Sequence, residues 1–130
     1  MIAGLLFSVL WRISGIVLLP VLFCYKRTRR HIFQVPAPIP GRTWIHGASI
    51  GEHRITQTIL PYIGPAWCTH SSWRSHPTGT FPAPLDLPGV IGPWLDRARP
   101  GRLILIEGEL WPGWLIECRK RNIPVAVLAA

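Results

Sequence analysis

Apolar positions along this chain fall into two regimes. Residues 2–25 (IAGLLFSVLWRISGIVLLPVLFCY) form a near-continuous apolar run broken at Arg12. Beyond residue 42 the apolar positions come instead as short runs separated by turn residues. Thr43–Ala48 (TWIHGA) predicts a strand, and Ser49-Ile50-Gly51 a small-residue turn. Glu52–Tyr62, with Ile55, Ile59, Leu60 and Ile63 at helical spacing, predicts a helix. Residues 64–84 are rich in Pro, Ser, Thr and Gly and leave room for at most a very short strand near Ala66–Thr69. Asp86–Ala98 predicts a helix capped by Asp86 with Pro88 in its first turn, kinked or split at Gly92-Pro93. Arg102–Glu107 (RLILIE) reads as a strand. Pro112–Arg121 reads as a helix with proline at its start and cations in its last turn, and Pro124–Ala129 (PVAVLA) as a further buried strand.

Strands alternating with helices predict an α/β layer with a mostly parallel sheet. RLILI and VAVLA lack in/out alternation, as strands covered on both faces should. No internal repeat is visible. Fourteen prolines, eight of them between Pro61 and Pro100, exclude a helical bundle, and 48% hydrophobic with 15% charged residues excludes a disordered chain.

The net charge of +8 changes the reading of the first regime, because five basic residues and no acid lie in residues 1–30. A nucleic-acid binder would spread its cations over the folded part, so the charge points to a membrane surface and not to nucleic acid. About 20 apolar residues suffice to cross a bilayer. A central Arg costs roughly 3 kcal/mol, while fourteen Leu, Ile, Val and Phe return about 0.3–0.6 each, so insertion stays favourable. The alternative is a helix lying in the interface with Arg12 snorkelling to the head groups. Lys26-Arg27-Thr28-Arg29-Arg30 follows directly and places the globular part on the cytoplasmic side. A cleaved signal peptide would carry its charges on the other flank. The expected organisation is a membrane anchor with its basic flank (1–30), a Pro-rich linker (31–42) and an α/β domain (43–130).

Three cysteines without CxxC spacing fit packing thiols in a reducing compartment. His46, His53, Cys68, His70 and His76 do not make a metal site, since Cys68-x-His70 is too tight for structural zinc and no second pair has the right loop. In HGASIGE (His46 to Glu52) a strand runs through small residues into a helix. Gly51 lets the backbone approach a ligand, and Glu52 falls in the first helical turn, where a carboxylate is favoured. Glu52 is thus a base facing the strand ends or an acid that only steadies the helix dipole. In IEGELWP (Ile106 to Pro112), Glu107 and Glu109 share one face if the strand continues, with Trp111 and Trp114 on the next helix. They are a site, or strand-end acids beside core tryptophans.

The blocks gain meaning in their order: His46-x-x-Ser49-x-Gly51-Glu52, Pro77-Thr78-Gly79, Pro84-Leu85-Asp86-Leu87-Pro88-Gly89, Ile106-Glu107-x-Glu109-Leu110-Trp111-Pro112 and Asn122-Ile123-Pro124-Val125. In this order they resemble the N-terminal domain of 3-deoxy-D-manno-octulosonic acid (Kdo) transferase, over about the first third of that family's length. The resemblance implies two Rossmann-like domains of GT-B type, here the acceptor-side one behind an anchor helix. The acceptor is a lipid A precursor and the donor CMP-Kdo, held by a second domain that these 130 residues lack. It implies Glu52 as general base and Glu109 as a supporting acid. Ser49 and Gly51 would shape the acceptor pocket, with Thr78 and Gly79 in a neighbouring acceptor-side loop. No metal or other cofactor is implied. The setting would be the cytoplasmic face of the bacterial inner membrane.

The departures from the pattern set further expectations. Between Ile59 and Pro77 the family finishes a helix and adds a full strand, and this chain leaves room for neither. Between Gly79 and Pro84 only Thr80-Phe81-Pro82-Ala83 stand for a helix and a strand, leaving the middle of the sheet incomplete. Gly108 and Gly113 replace more usual polar residues. A truncated enzyme and a non-catalytic membrane-anchored α/β module are the two readings this leaves.

Overall fold

The computed structural model describes residues 2–36, 39, 41–71, 78–107 and 109–128. Two helices come first, α1 (Ile2–Phe23) and α2 (Lys26–Phe33). Then β1 (Thr43–His46), α3 (Ile50–Ile63), β2 (Ala66–His70) and β3 (Phe81–Pro82) follow in turn. The chain ends through α4 (Ile91–Ala98), β4 (Arg102–Ile106), α5 (Pro112–Lys120) and β5 (Val125–Leu128).

The five strands form one sheet in the order β3-β2-β1-β4-β5, and every pair is parallel. Strand order reverses at β1: the chain builds outward on one side through β2 and β3, then crosses to β4 and β5 on the other. In open α/β sheets the crevice at the carboxyl ends of strands beside such a reversal is where ligands bind.

Side-chain alternation along the strands divides the core between the two faces. Trp44, Leu103 and Leu105 turn to one face, where Trp94, Leu95 and Ala98 of α4 and Trp114 and Cys118 of α5 cover them. The Trp44 ring centroid lies 4.6 Å from that of Trp94 and 4.8 Å from that of Trp114. Ile45, Ile104 and Ile106 turn to the other face against Ile55, Ile59, Leu60 and Ile63 of α3. β1 and β4 are thus covered on both sides, as their unbroken apolar runs require.

Several expectations are corrected. The chain does have room after Ile59: α3 runs to Ile63, and β2 is a full strand whose Ala66–Thr69 pair with all four residues of β1. Composition had hidden it, because Trp67, Cys68, Thr69 and His70 lie in a Pro- and Ser-rich neighbourhood yet are all buried. The middle of the sheet is accordingly complete, with β1 hydrogen-bonded to strands on both sides. Beyond Gly79 only the two residues of β3 pair with β2. Asp86 does not cap α4, which starts five residues later behind Val90. β5, expected to be covered on both faces, is an edge strand with Ala126, Val127 and Leu128 exposed. β4 ends at Ile106 and the chain turns at Glu107 with φ 63°, so Glu107 and Glu109 do not share a strand face.

The basic segment is helical and belongs to the fold. Thr28, His31 and Ile32 of α2 are buried. The His31 ring nitrogen Nδ1 lies 2.6 Å from the Ala83 carbonyl oxygen, and Leu85 N–H donates to the His31 carbonyl at 3.2 Å. α2 therefore runs across the boundary expected between the flank and the Pro-rich linker. Of that linker, residues 37, 38 and 40 lie outside the described residues.

Candidate functional site

β1 delivers His46 to the carboxyl edge of the sheet, and the chain passes through Gly47 and Ala48 into α3. Ser49 is the N-cap of this helix, its Oγ accepting the Glu52 N–H at 3.2 Å. The Glu52 carboxylate answers: Oε2 accepts the Ala48 N–H at 2.6 Å and Oε1 accepts the Ser49 hydroxyl at 3.0 Å. The result is a capping box shifted by one residue, which fixes the Glu52 head group by two local hydrogen bonds and its backbone N–H by a third. Gly47 makes the turn possible, since a methyl group there would stand 3.1 Å from the Glu52 Cβ. Gly51 is not required in this way. A methyl on it would meet only the Ser49 Oγ, at 3.7 Å, so the space over the first turn of α3 is open.

β4, the neighbour of β1, delivers the second carboxylate. Glu109 follows the left-handed turn at Glu107 and is half exposed. Partial burial and the negative charge of Glu52 hold its carboxyl above the ordinary range, with the Trp111 indole pulling the other way. Its Oε2 lies 4.0 Å from His46 Nε2.

His46, the last residue of β1, is buried beside Glu109 and only 1% exposed. Its Nδ1 sits 3.0 Å from Thr69 Oγ1, which also accepts the Trp44 indole N–H at 2.8 Å. Its Nε2 lies 3.3 Å from Ser71 Oγ. Its ring stands nearly perpendicular to that of Trp114, with centroids 4.8 Å apart. Burial first, and then the nearby His70, bring its pKa down to about 3, so the ring is neutral and the contact with Glu109 is not an ion pair.

Asp86 serves the same edge from the far side. Its Oδ2 accepts the Gly113 N–H at 3.0 Å, supplying from a distant loop the cap that Trp111 does not give α5. Burial raises its pKa, and the Gly113 and Trp114 N–H groups oppose the rise. A side chain at Gly113 would collide with Asp86 and Trp11, which accounts for glycine at this position of the chain.

Of the residues singled out in the sequence, Glu52, Ser49, Gly51 and Glu109 come together at the carboxyl ends of β1 and β4, where the strand order reverses. Thr78 and Gly79 occupy an exposed turn ahead of β3, at the opposite edge of the sheet from β5. Pro77, His76 and Gly108 lie outside the described residues. His46, Ser71, Trp111 and Asp86 are the site neighbours that spacing alone did not assign. The signal for His46 was its place as the last residue of an apolar strand ahead of a small-residue turn.

This arrangement can be set beside known proteins. The family model of 3-deoxy-D-manno-octulosonic-acid transferase (Kdo transferase) matches residues 24–130. The chain belongs to the Kdo transferase family. A Kdo transferase of Bordetella pertussis is 30% identical over 127 residues, covering 84% of this chain and 30% of the relative. That of Chlamydophila psittaci is 30% identical over 112 residues, covering 69% of this chain and 25% of the relative. That of Aquifex aeolicus is 30% identical over 104 residues, covering 68% of this chain and 29% of the relative. The chain thus spans less than a third of the length of these relatives. Both carboxylates, Glu52 and Glu109, lie inside the stretch matched by the Kdo transferase family.

Proposed function

We propose that this chain is the acceptor-side, Rossmann-like domain of a GT-B glycosyltransferase that moves Kdo from CMP-Kdo to a lipid A precursor. The observation that carries the reading is the approach of two carboxylates, one in the first turn of α3 after β1 and one in the loop after β4, at the reversal of strand order in a chain of this family. In the reaction an acceptor hydroxyl oxygen attacks the anomeric carbon of Kdo from the face opposite CMP. The new C–O bond forms as the bond to the CMP phosphate breaks, which inverts the centre, and the hydroxyl proton passes to Glu52.

Ala48 N–H and Ser49 hydroxyl hold the Glu52 carboxylate in one orientation. Each carboxylate oxygen has two lone pairs, so the capping bonds leave capacity to take the proton. Glu109 is the supporting acid beside it. Ser49 and Gly51 line the acceptor approach through the open space over the first turn of α3, and Thr78 and Gly79 contribute a neighbouring loop. No metal or further cofactor enters this scheme. The donor is held by a second unit outside these 130 residues. The apolar helix α1 and the basic α2 attach the domain to the cytoplasmic face of the inner membrane, next to its lipid acceptor.

The test is Glu52→Gln in a chain completed with the donor-binding part of the Bordetella pertussis relative. Glutamine keeps an acceptor for the Ala48 N–H but cannot take a proton. Turnover should fall about 100-fold or more with KM for the acceptor nearly unchanged. Unchanged turnover would return Glu52 to a purely helix-capping role.

A further inference from the structure

α1 is long and apolar enough to cross a bilayer, as its 21-residue stretch Ala3–Phe23 with mean hydropathy 2.1 attests. Its tertiary contacts tell against crossing. Four residues at four-residue spacing, Trp11, Gly15, Leu19 and Phe23, form one stripe along the helix, and each is seated on the rest of the fold. The Trp11 indole N–H donates to the Asp86 carbonyl at 3.0 Å, and its ring stands against Gly113. Gly15 abuts Pro88 so closely that a methyl group there would be 2.5 Å from the proline Cγ. Leu19 closes the space over Gly89, where a methyl group would stand 3.4 Å from its Cδ1, and Phe23 meets Phe33 of α2 edge to face with ring centroids 5.6 Å apart. From Trp11 onward the helix therefore runs along the surface of the sheet domain. The part of α1 clear of the domain, residues 2–10, is about 14 Å long at 1.5 Å per residue, against a hydrocarbon core of about 30 Å.

We propose that α1 does not cross the bilayer but lies within one leaflet, docked lengthwise on the sheet domain. The partner of the face made by α1, α2 and the Pro84–Val90 loop is then an anionic lipid surface. The proposal rests on the membrane attachment proposed above and specifies its geometry. Away from the docking stripe, apolar side chains of α1 such as Leu5, Leu6, Ile13, Ile16 and Val17 are exposed, and only an apolar medium covers them without penalty. An apolar groove of about 700 Å³ opens between α1 and the loop, lined by Ile16, Leu19, Phe23, Ile32, Pro88 and Val90, and admits acyl chains of that leaflet. Exposed Lys26, Arg29 and Arg30 of α2 follow directly after α1. These cations would repel a second copy of the chain and attract anionic head groups. The geometry also explains the one charge in the apolar run. In a spanning helix Arg12 would sit near the bilayer centre. Docked, it lies beside Trp11 on the rim of the groove, at the level where the domain meets the head groups.

The experiment is a topology assay on the full chain, carrying a protease-cleavable tag on a flexible linker ahead of Met1. Membranes of a Gram-negative host are fractionated first. The tag is then challenged with protease in intact spheroplasts and in inverted inner-membrane vesicles. The expected result is membrane-bound protein whose tag survives in spheroplasts and is removed in inverted vesicles. Cleavage in intact spheroplasts would overturn the proposal while leaving membrane attachment standing. Chain found in the soluble fraction would overturn both. In parallel, Gly15→Leu should force α1 off Pro88 and lower the Tm of the detergent-solubilised chain by about 5 °C. An unchanged Tm would show that α1 is not docked.

Discussion

Glu52 serves its own helix before it serves any substrate. Two hydrogen bonds, from the Ala48 N–H and the Ser49 hydroxyl, hold its carboxylate, so the structural role and the proposed catalytic one share an atom set. Two glycines separate what the fold needs from what a ligand needs. Gly113→Ala should destabilise the chain by about 2 kcal/mol in chemical denaturation, because the methyl group meets Asp86 and Trp11. Gly51→Ala should leave stability within about 0.5 kcal/mol yet weaken acceptor binding in a completed enzyme, since only ligand space is filled. A large stability loss at Gly51 would contradict the open first turn. His46 makes a pH prediction. Its folded pKa of about 3 lies below the unfolded 6.5, so between those values the unfolded chain binds the proton and the folded chain does not. Stability therefore falls as pH drops from 6.5 towards 3, by about 1.4 kcal/mol per unit at most. His46→Gln should flatten this slope in denaturation curves taken across the window, whatever it does to stability at pH 7. An unaltered slope would mean that the ring titrates freely.

At the scale of elements, α4 and α5 cover one face of the sheet and are tied together by one side chain. Arg121 donates from Nε to Asp96 Oδ1 at 2.7 Å, and pairs with Glu117 on its own helix. Hydrogen bonds to Arg121, and for Glu117 also to Lys120, hold both carboxyls below their ordinary range. Asp96 is largely exposed, so water and salt screen much of that pair. Arg121→Ala should cost about 1 kcal/mol, and about half of that should vanish in 1 M NaCl. Thermal melts at low and high salt check both statements. A cost above about 3 kcal/mol would place the weight on the buried Glu117, which the loss of Arg121 leaves with Lys120.

At the scale of the molecule, the proposed acceptor-side loops need a donor held beside them to act. Inverting transfer needs donor and acceptor held in line, a positioning worth roughly 7–11 kcal/mol of barrier. The expectation is that the 130-residue polypeptide, solubilised and given CMP-Kdo and lipid A precursor, shows no transfer. Activity should appear only when a donor-binding unit is joined after Ala130. Transfer by the unassisted polypeptide would mean that a second copy or a partner supplies the other wall of the cleft.

The amino-acid sequence by itself determined the alternation of strands and helices, the parallel sheet and the two carboxylate loops. These are written in local periodicity, in continuous apolar runs such as RLILI and in small-residue turns. It also determined the long apolar segment at residues 2–25, because hydropathy summed over twenty residues needs no partner to be meaningful. Tertiary structure alone decided the rest. β2 emerged from an unpromising composition because pairing with β1 supplies its hydrogen bonds and burial. β5 stands at one edge of the five described strands because strand order, not strand composition, sets which strand has a single neighbour. Asp86 went to cap α5 and not α4, since its loop passes the start of a helix twenty-six residues away in sequence. The lie of α1 was decided in the same way, by where Trp11, Gly15, Leu19 and Phe23 find their seats. Contacts between residues distant in sequence leave no periodic trace, so only the folded chain assigns them.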